Sequence, residues 1–381
     1  MKDNNFIKKI AISSAALVCA GTLFAAPIDS TALRGMPDDA DALIYFDIDV
    51  LRDSNLVTMG LDFAKKQDDA EQQKKAELAE EWFKKVSDIA VAIKVLDNDE
   101  TPAVVSMRGN FEEDEMLEKF SNDTLEKIEV GGRTIYRVNS VRVKIDAAAG
   151  DAENCNVAVC KDDSAIVFLE KGHLIGVISN PKEGDDANSV VEILKGQIAA
   201  YDAKKSATVP AAPAGVPENV KEFLRVSADE AMCKKIGDIS GDAGGISNVS
   251  AIAGDVPAGE GSALYVLSNS KFATDELAKS SAQRLTQLVT FTKLLLTMPP
   301  QNGEPRPPAD EKKNEIMLEF LSGVDIANKG SEMNISLTSP TYSRIFEVAE
   351  FLANDAKEEA ATKEEAAAKE ETAAKEKSQE E

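Results

Sequence analysis

The residues able to do chemistry are few, and their spacing limits what they could do. His173 is the only histidine in the chain. A lone imidazole cannot build a multi-histidine zinc site or the paired helical histidines of a metalloprotease, and it leaves little scope for a triad. It follows Gly172 at the edge of an expected turn, where a surface or half-buried side chain is the ordinary outcome. Ser268-Asn-Ser-Lys271 has the Ser-x-x-Lys spacing that sets a lysine one helical turn from a serine in penicillin-recognising enzymes. Here the serine falls at the end of an expected strand and no Lys-Thr-Gly element follows. A polar strand-to-helix junction, with Ser270 or Asn269 as cap, accounts for the segment better.

Carboxylates are plentiful, so no single pair stands out. Asp47 and Asp49 share a face of the first strand or its exit, and Asp97 and Asp99 lie in a turn. Neither pair sits in an Asp-x-Asp-x-Asp-Gly loop with a distal glutamate, so solvated turn and cap residues are expected rather than a calcium site. No phosphate loop, dinucleotide turn or nucleophile elbow is present. Gly241 to Gly245 is a flexible turn without the strand and helix a nucleotide would need. No catalytic, cofactor-binding or metal-ligating residue is assigned, and no cofactor is expected.

The N-terminus gives a clearer message. Lys2, Lys8 and Lys9 precede an uncharged, mostly apolar run from Ile10 to Phe24, followed by Ala25-Ala26-Pro27. A basic start, a short apolar centre and a small-residue exit describe a secretory signal peptide over residues 1–25. The run is shorter than the roughly 20 residues a membrane span needs. Cys19 lies within it, but Ala16 and Val18 occupy the places where a lipobox wants leucine and a small residue. The expected destination is therefore periplasmic or extracellular, without a lipid anchor. No later segment reads as a transmembrane span; Leu285 to Met298 comes nearest, but it is short, interrupted by Lys293 and amphipathic.

Export places Cys155, Cys160 and Cys233 where disulfides persist. Cys155 and Cys160 belong to one expected strand, on opposite faces and roughly 16 Å apart, so they should not pair with each other. Either one of them reaches Cys233, or all three are small buried hydrophobes.

The chain carries 43 Lys+Arg against 67 Asp+Glu, a net charge of −24. Residues 1–25 hold three lysines and one aspartate, so their loss takes the charge to −26. So acidic a body repels phosphate backbones, and nucleic acid is not an expected partner. An unknown protein or envelope component is. A single tryptophan and five tyrosines leave little to stack on sugar rings.

The elements that would position any site follow from periodicity. Strands are expected at Leu43–Ile48, Ile89–Val95 and Ala103–Met107. Between the first two runs a helix, Ala70 to Val86, should bury Leu78, Trp82 and Val86. Asn110 and Glu113 form a capping box for a helix carrying Phe111, Leu117 and Phe120. Gly131-Gly132 reads as a hairpin turn. A meander should follow over Cys155–Lys161, Ala165–Leu169 and Leu174–Ile178, turning at Asp162-Asp163 and Lys171-Gly172, and then a helix from Asn188 to Ala200.

Ala207 to Pro217 is rich in proline and alanine and reads as an extended linker. The expected organisation is α+β: two mixed or antiparallel sheet domains with packed amphipathic helices, over residues 36–203 and 220–355, joined by a linker at 204–219. In the second domain Ser227 and Glu230 should cap a short helix, and strands are expected near Ser247–Ala253 and Ala263–Leu267. A helix from Thr274 to Thr297 presents Leu277, Leu285, Leu288, Leu295 and Leu296 on one side; a strand through Met333, Ile335 and Leu337 and a helix near Tyr342 follow. Phe111 to Met116 lines up with Phe272 to Leu277, each after two strands, which suggests a distant internal duplication. Residues 356–381 repeat Lys-Glu-Glu-Ala-Ala with i,i+4 pairs such as Glu359 with Lys363. With nothing larger than alanine on any face, the tail is a solvated charged helix without a coiled-coil seam.

Met36-Pro-Asp-Asp-Ala-Asp-Ala-Leu-Ile-Tyr-Phe-Asp47, running on to Ser54, resembles the opening of loosely related exported bacterial proteins that have no assigned activity. Asp162 to Leu169 is similar to their repeated strands. The resemblance implies a cell-envelope protein and no mechanism. Together these features point to a non-enzymatic binding or scaffolding protein outside the cytoplasm, with a carboxylate-based hydrolase as the alternative, since glycosidases need only two suitably spaced acids.

Overall fold

The computed structural model describes residues 31–67, 70–96, 101–118, 125–147, 155–179, 189–209, 212, 215–240, 245–259, 261–299 and 305–355. Its strands are β1 (Ala42–Asp47), β2 (Val86–Ile93), β3 (Ala103–Gly109), β4 (Leu125–Val130), β5 (Arg133–Ala147), β6 (Cys155–Glu170), β7 (His173–Ser179), β8 (Lys221–Ala228), β9 (Ile246–Ala258), β10 (Gly261–Phe272), β11 (Val324–Lys329) and β12 (Glu332–Thr341). The helices are α1 (Ile48–Arg52), α2 (Asn55–Lys65), α3 (Ala70–Lys85), α4 (Glu113–Glu118), α5 (Val190–Asp202), α6 (Glu230–Ser240), α7 (Asp275–Thr297) and α8 (Pro308–Ser322), with a last helix, α9, over 342–355.

The class is α+β, as expected, but the two expected sheets are one. Twelve strands follow the order β11-β12-β10-β9-β8-β1-β2-β3-β7-β6-β5-β4. The halves join where β1 pairs antiparallel with β8, Ala42 opposite Ala228 and Phe46 opposite Leu224. The proline- and alanine-rich segment does not hold two bodies apart either. Ala207, Val209 and Ala212 are buried, and the Ala207 N–H donates to the Leu33 carbonyl at 3.1 Å. Its small apolar side chains pack into the core, which composition alone does not reveal.

The expected duplication has a structural counterpart. Outward from the β1–β8 seam, β2 matches β9, β3 matches β10, β7 matches β12 and β6 matches β11. Asp47 caps α1 through the Val50 N–H (2.9 Å), and Asp229 caps α6 through the N–H groups of Ala231 (3.0 Å) and Met232 (3.2 Å). Gly109 N donates to Gly172 O at 2.9 Å, and Phe272 N to Ser331 O at 2.8 Å. Asn110 N donates to Lys85 O at 2.6 Å, and Ala273 N to Gly245 O at 2.9 Å. These bonds align Gly109 with Phe272, two residues from the match that sequence suggests. The halves differ between β3 and β6, where the first extends the sheet with β4–β5, and between β10 and β11, where the second raises the helical pair α7–α8.

Several local expectations change. β6 runs through Asp162-Asp163, which face Ser140 and Asn139 on β5 rather than turning. Asp229, not Ser227, caps α6, because Ser227 is still paired in β8. Leu78 is exposed, and among the described residues of α3 it is Ala76 that is buried. Strand β11 has too few apolar residues to stand out in the sequence.

One core cluster lies under α5, where Val190, Leu194, Ile198 and Tyr201 meet Leu43, Tyr45, Ala92, Ile175 and Val177 of the sheet. On the other face Ile44, Val91, Leu224, Val226, Ala251 and Ala253 pack with Val50 and Leu51 of α1. Alternating residues of β1 therefore serve two cores, as the period of two in a strand requires.

Candidate functional site

His173 is 1% exposed, not at the surface. It opens β7 opposite Arg108 of β3, and its Nε2 lies 2.9 Å from Ser106 Oγ, itself fully buried. The Tyr201 ring closes edge-on at 5.3 Å, and Glu170 Oε1 stands 4.0 Å from Nδ1. Burial, reinforced by the Arg108 charge, lowers the imidazole pKa to about 4, so it is neutral near pH 7. Serine, histidine and glutamate thus stand in triad order, yet the serine and imidazole are sealed. A nucleophile needs an approach for its substrate, and here the pair ties β3 to β7. Sequence reasoning missed Ser106 because the contact spans 67 positions.

Ser268 is also fully buried, on β10, three residues along the strand from the exposed Lys271. An odd separation in a strand sends the two side chains to opposite faces, which removes the Ser-x-x-Lys reading. Asp47 caps α1, and Asp49 pairs with Arg52 at 2.9 Å. Asp97, Asp99 and most of Gly241–Gly245 lie outside the described residues, as do the side chains of Cys155 and Cys160. Cys233 Sγ lies 3.9 Å from the Ala228 carbonyl. Among the described residues no group of three or more His, Cys, Asp or Glu could hold a metal ion.

A second constellation lies at the end of the β1–β8 seam. Asp229 N donates to Asp41 O at 2.8 Å, bringing the two residues side by side. Both border a cavity of about 200 Å³ that is also lined by Pro37, Asp38, Thr208 and Asn248. Asp41 accepts the Val95 N–H at 2.6 Å and has Lys94 Nζ at 3.5 Å. Asp229 is exposed as a residue, but partial desolvation of its carboxyl, assisted by repulsion from Asp41, raises its pKa. Both carboxylates are thus engaged by backbone N–H groups. The cavity is smaller than the roughly 300–1,000 Å³ usual for ligand sites.

The third feature is the outer face of α7–α8. Thr274 caps α7 through the Leu277 N–H at 3.2 Å. Ala278 and Ala282, one turn apart, press the helix base onto Phe272 and Met333. Beyond Ala282 no α7 residue is buried. Leu288 (58% exposed), Phe291 (56%), Leu294 (51%), Leu295 (48%) and Met298 (45%) all face outward. The leucine side read from the sequence is largely solvent-facing; the small-residue side makes the closer approach to the sheet. Several of the surrounding polar groups are satisfied within the hairpin. Thr286 and Thr290 hydroxyls donate to the carbonyls of Ala282 and Thr286, each at 2.8 Å, and Thr297 to Leu294 at 2.9 Å. The Arg306 guanidinium takes the terminal carbonyls of Leu296 (2.7 Å) and Met298.

No family model matches the chain, and no curated protein matches it. Among solved structures it is similar to "Structure of crystal form III of TP0453", with a TM-score of 0.41, 8% identity, and 83% of this chain and 96% of that chain covered. Crystal form I of TP0453 gives a TM-score of 0.39 and 9% identity, over 84% and 96%. At that similarity nothing about activity transfers. No helix among the described residues is long and apolar enough to cross a membrane.

Proposed function

We propose that this is an exported, non-enzymatic binding or scaffolding protein of the periplasm or cell envelope, and that its contact surface is the outer face of α7–α8. One observation carries the reading: five large apolar side chains between Leu288 and Met298 stand in solvent on one helix, and such patches mark interaction sites. The N-terminal basic and apolar segments support export, and the acidity of the chain argues against nucleic acid as partner.

The test is a photo-crosslinking residue at position 294, compared with one at the exposed Lys204 on another part of the surface. Adducts from the cell envelope at 294 alone, on a chain lacking about its first 25 residues, are expected. Equal labelling at both positions would remove the assignment. The carboxylate-hydrolase alternative keeps one supporting observation, the pairing of Asp41 with Asp229 beside a cavity. It requires a turnover that disappears in Asp41→Asn.

A further inference from the structure

We propose that the cavity at the end of the β1–β8 seam binds the ammonium group of a primary amine. It contains no residue of α7–α8 and stands apart from that face. Asp41 and Asp229 border it side by side, with Asp38 nearby. Lys94 reaches Asp41 at 3.5 Å and Asp39 at 3.4 Å, whereas Asp38 and Asp229 pair with no cation among the described residues. Adjacent carboxylates alone do not make a site, but the sheet beside them is also short of partners. Ser227 and Asn248 line the cavity, and neither side chain hydrogen-bonds another described residue. Ser250 stands directly opposite Ser227 in the β8–β9 ladder, two positions along from Asn248, so all three project from one face. It is 2% exposed, and its Oγ has no hydrogen-bond partner. Buried hydroxyls are nearly always bonded, so a row of unpaired acceptors running in from two carboxylates marks a place for a charged donor.

The chemistry selects an ammonium over other cations. A divalent metal wants about six oxygen ligands, and no group of acids among the described residues is spaced to hold one. A guanidinium takes both oxygens of one carboxylate. Here Asp41 Oδ2 accepts the Val95 N–H at 2.6 Å, and Asp229 Oδ1 accepts the N–H groups of Ala231 and Met232. Quaternary ammonium groups are held by aromatic rings, and none is among the described residues lining this cavity. A primary ammonium is a compact charge with three donors, which suits the remaining oxygen of Asp229 together with Ser227 Oγ and Asn248 Oδ1. Leu43, Ala40 and Ala207 supply apolar wall for an alkyl stem. The volume is about 200 Å³. An engineered cavity of roughly 150 Å³ holds benzene, so a stem of about four carbons fits. Water would satisfy the hydroxyls but leave Asp229, whose pKa desolvation and Asp41 raise, without a countercharge. The net charge of −24 draws cations toward the surface. Free alkylamines and lysine side chains carry the same group.

The test titrates the full chain with n-butylammonium at neutral pH and reads saturation transfer from the protein to the amine's methyl group. A saturable signal in the millimolar range expected of so small a ligand should appear. Tetramethylammonium, n-butanol and calcium should not displace it. Asp229→Asn keeps the α6 cap, since asparagine caps as well as aspartate, and should weaken binding about tenfold or more with the melt unchanged. Ser227→Ala should weaken it about threefold or more. Displacement by tetramethylammonium, or undiminished binding to Asp229→Asn, would reduce the effect to diffuse attraction by an acidic surface and overturn the proposal. Displacement by n-butanol would overturn it in favour of an apolar cavity, and displacement by calcium in favour of a metal. A lysine peptide blocked at both ends separates the sources. Competition by it assigns the amine to a partner chain; its failure to compete, with n-butylammonium still bound, assigns a small free amine. None of these outcomes touches the α7–α8 contact, which is read by crosslinking at position 294.

Discussion

The Tyr342 hydroxyl donates to Asp255 Oδ1 at 2.5 Å, tying the start of α9 to β9 beneath the second half of the sheet. Both residues are buried or nearly so. Tyr342→Phe would strand a carboxylate that has lost its donor, at a cost of about 1.5–3 kcal/mol, measurable by denaturant unfolding. Burial and this bond raise the tyrosine pKa. The folded state therefore holds the phenolic proton more tightly than the unfolded chain, so the contribution is present below about pH 10 and declines as pH rises beyond it. In Tyr342→Phe that alkaline decline should flatten.

His173 carries the opposite sign. Its pKa falls from 6.5 to about 4 on folding, so the unfolded chain binds the extra proton first. The neutral buried imidazole contributes fully above about pH 6.5, and stability falls as pH drops toward 4, by on the order of 3 kcal/mol in all. Unfolding curves at pH 7, 5.5 and 4.5 should show the loss, and His173→Gln should remove that part of it. An unchanged acid profile in the variant would contradict the buried, uncharged assignment.

Gly172 turns β6 into β7 with φ +70°, and an added Cβ would meet Gly109 O at 2.0 Å. Gly172→Ala combines a left-handed backbone with a backbone clash, where no side chain can yield. A loss of about 2 kcal/mol or more is expected in equilibrium unfolding. Gly131→Ala, which meets no atom within 4 Å, should lose less, from its positive φ alone.

The two ends of α7 should respond differently to mutation. Ala282→Leu overfills the contact with Phe272 and Met333 and should cost about 1–3 kcal/mol. Leu295→Gln removes an outward side chain and should change stability by less than about 0.5 kcal/mol while raising solubility. Thermal melts and precipitation curves on the same pair of variants check both.

Much of the strand content was legible because alternation survives in β2 and β7, and Gly131-Gly132 and Lys171-Gly172 have the chemistry their turns require. Asp162-Asp163 misled because acidic pairs usually mark turns, whereas here both residues continue the ladder opposite Ser140 and Asn139 of β5. The seam between β1 and β8 could not be read locally, since periodicity describes a strand and not its neighbour. The burial of His173 depends on Ser106 and Tyr201, both distant in sequence. On α7 the clue was present: Ala278 and Ala282 recur one turn apart, and small residues permit the closest approach to a sheet, leaving the leucines outside. The outward stripe was visible as an amphipathic pattern, whose periodicity does not say which side packs on the sheet.

The β1–β8 seam also has a kinetic consequence. Its paired residues, such as Ala42 and Ala228, are separated by most of the first half of the chain, whereas β4–β5, β6–β7, β9–β10 and β11–β12 join neighbours through short turns. Loop closure makes the long-range junction the slow step. Each half should assemble its own hairpins first and zip to the other last, so a mutation at the seam would accumulate two half-formed lobes rather than an unstructured chain.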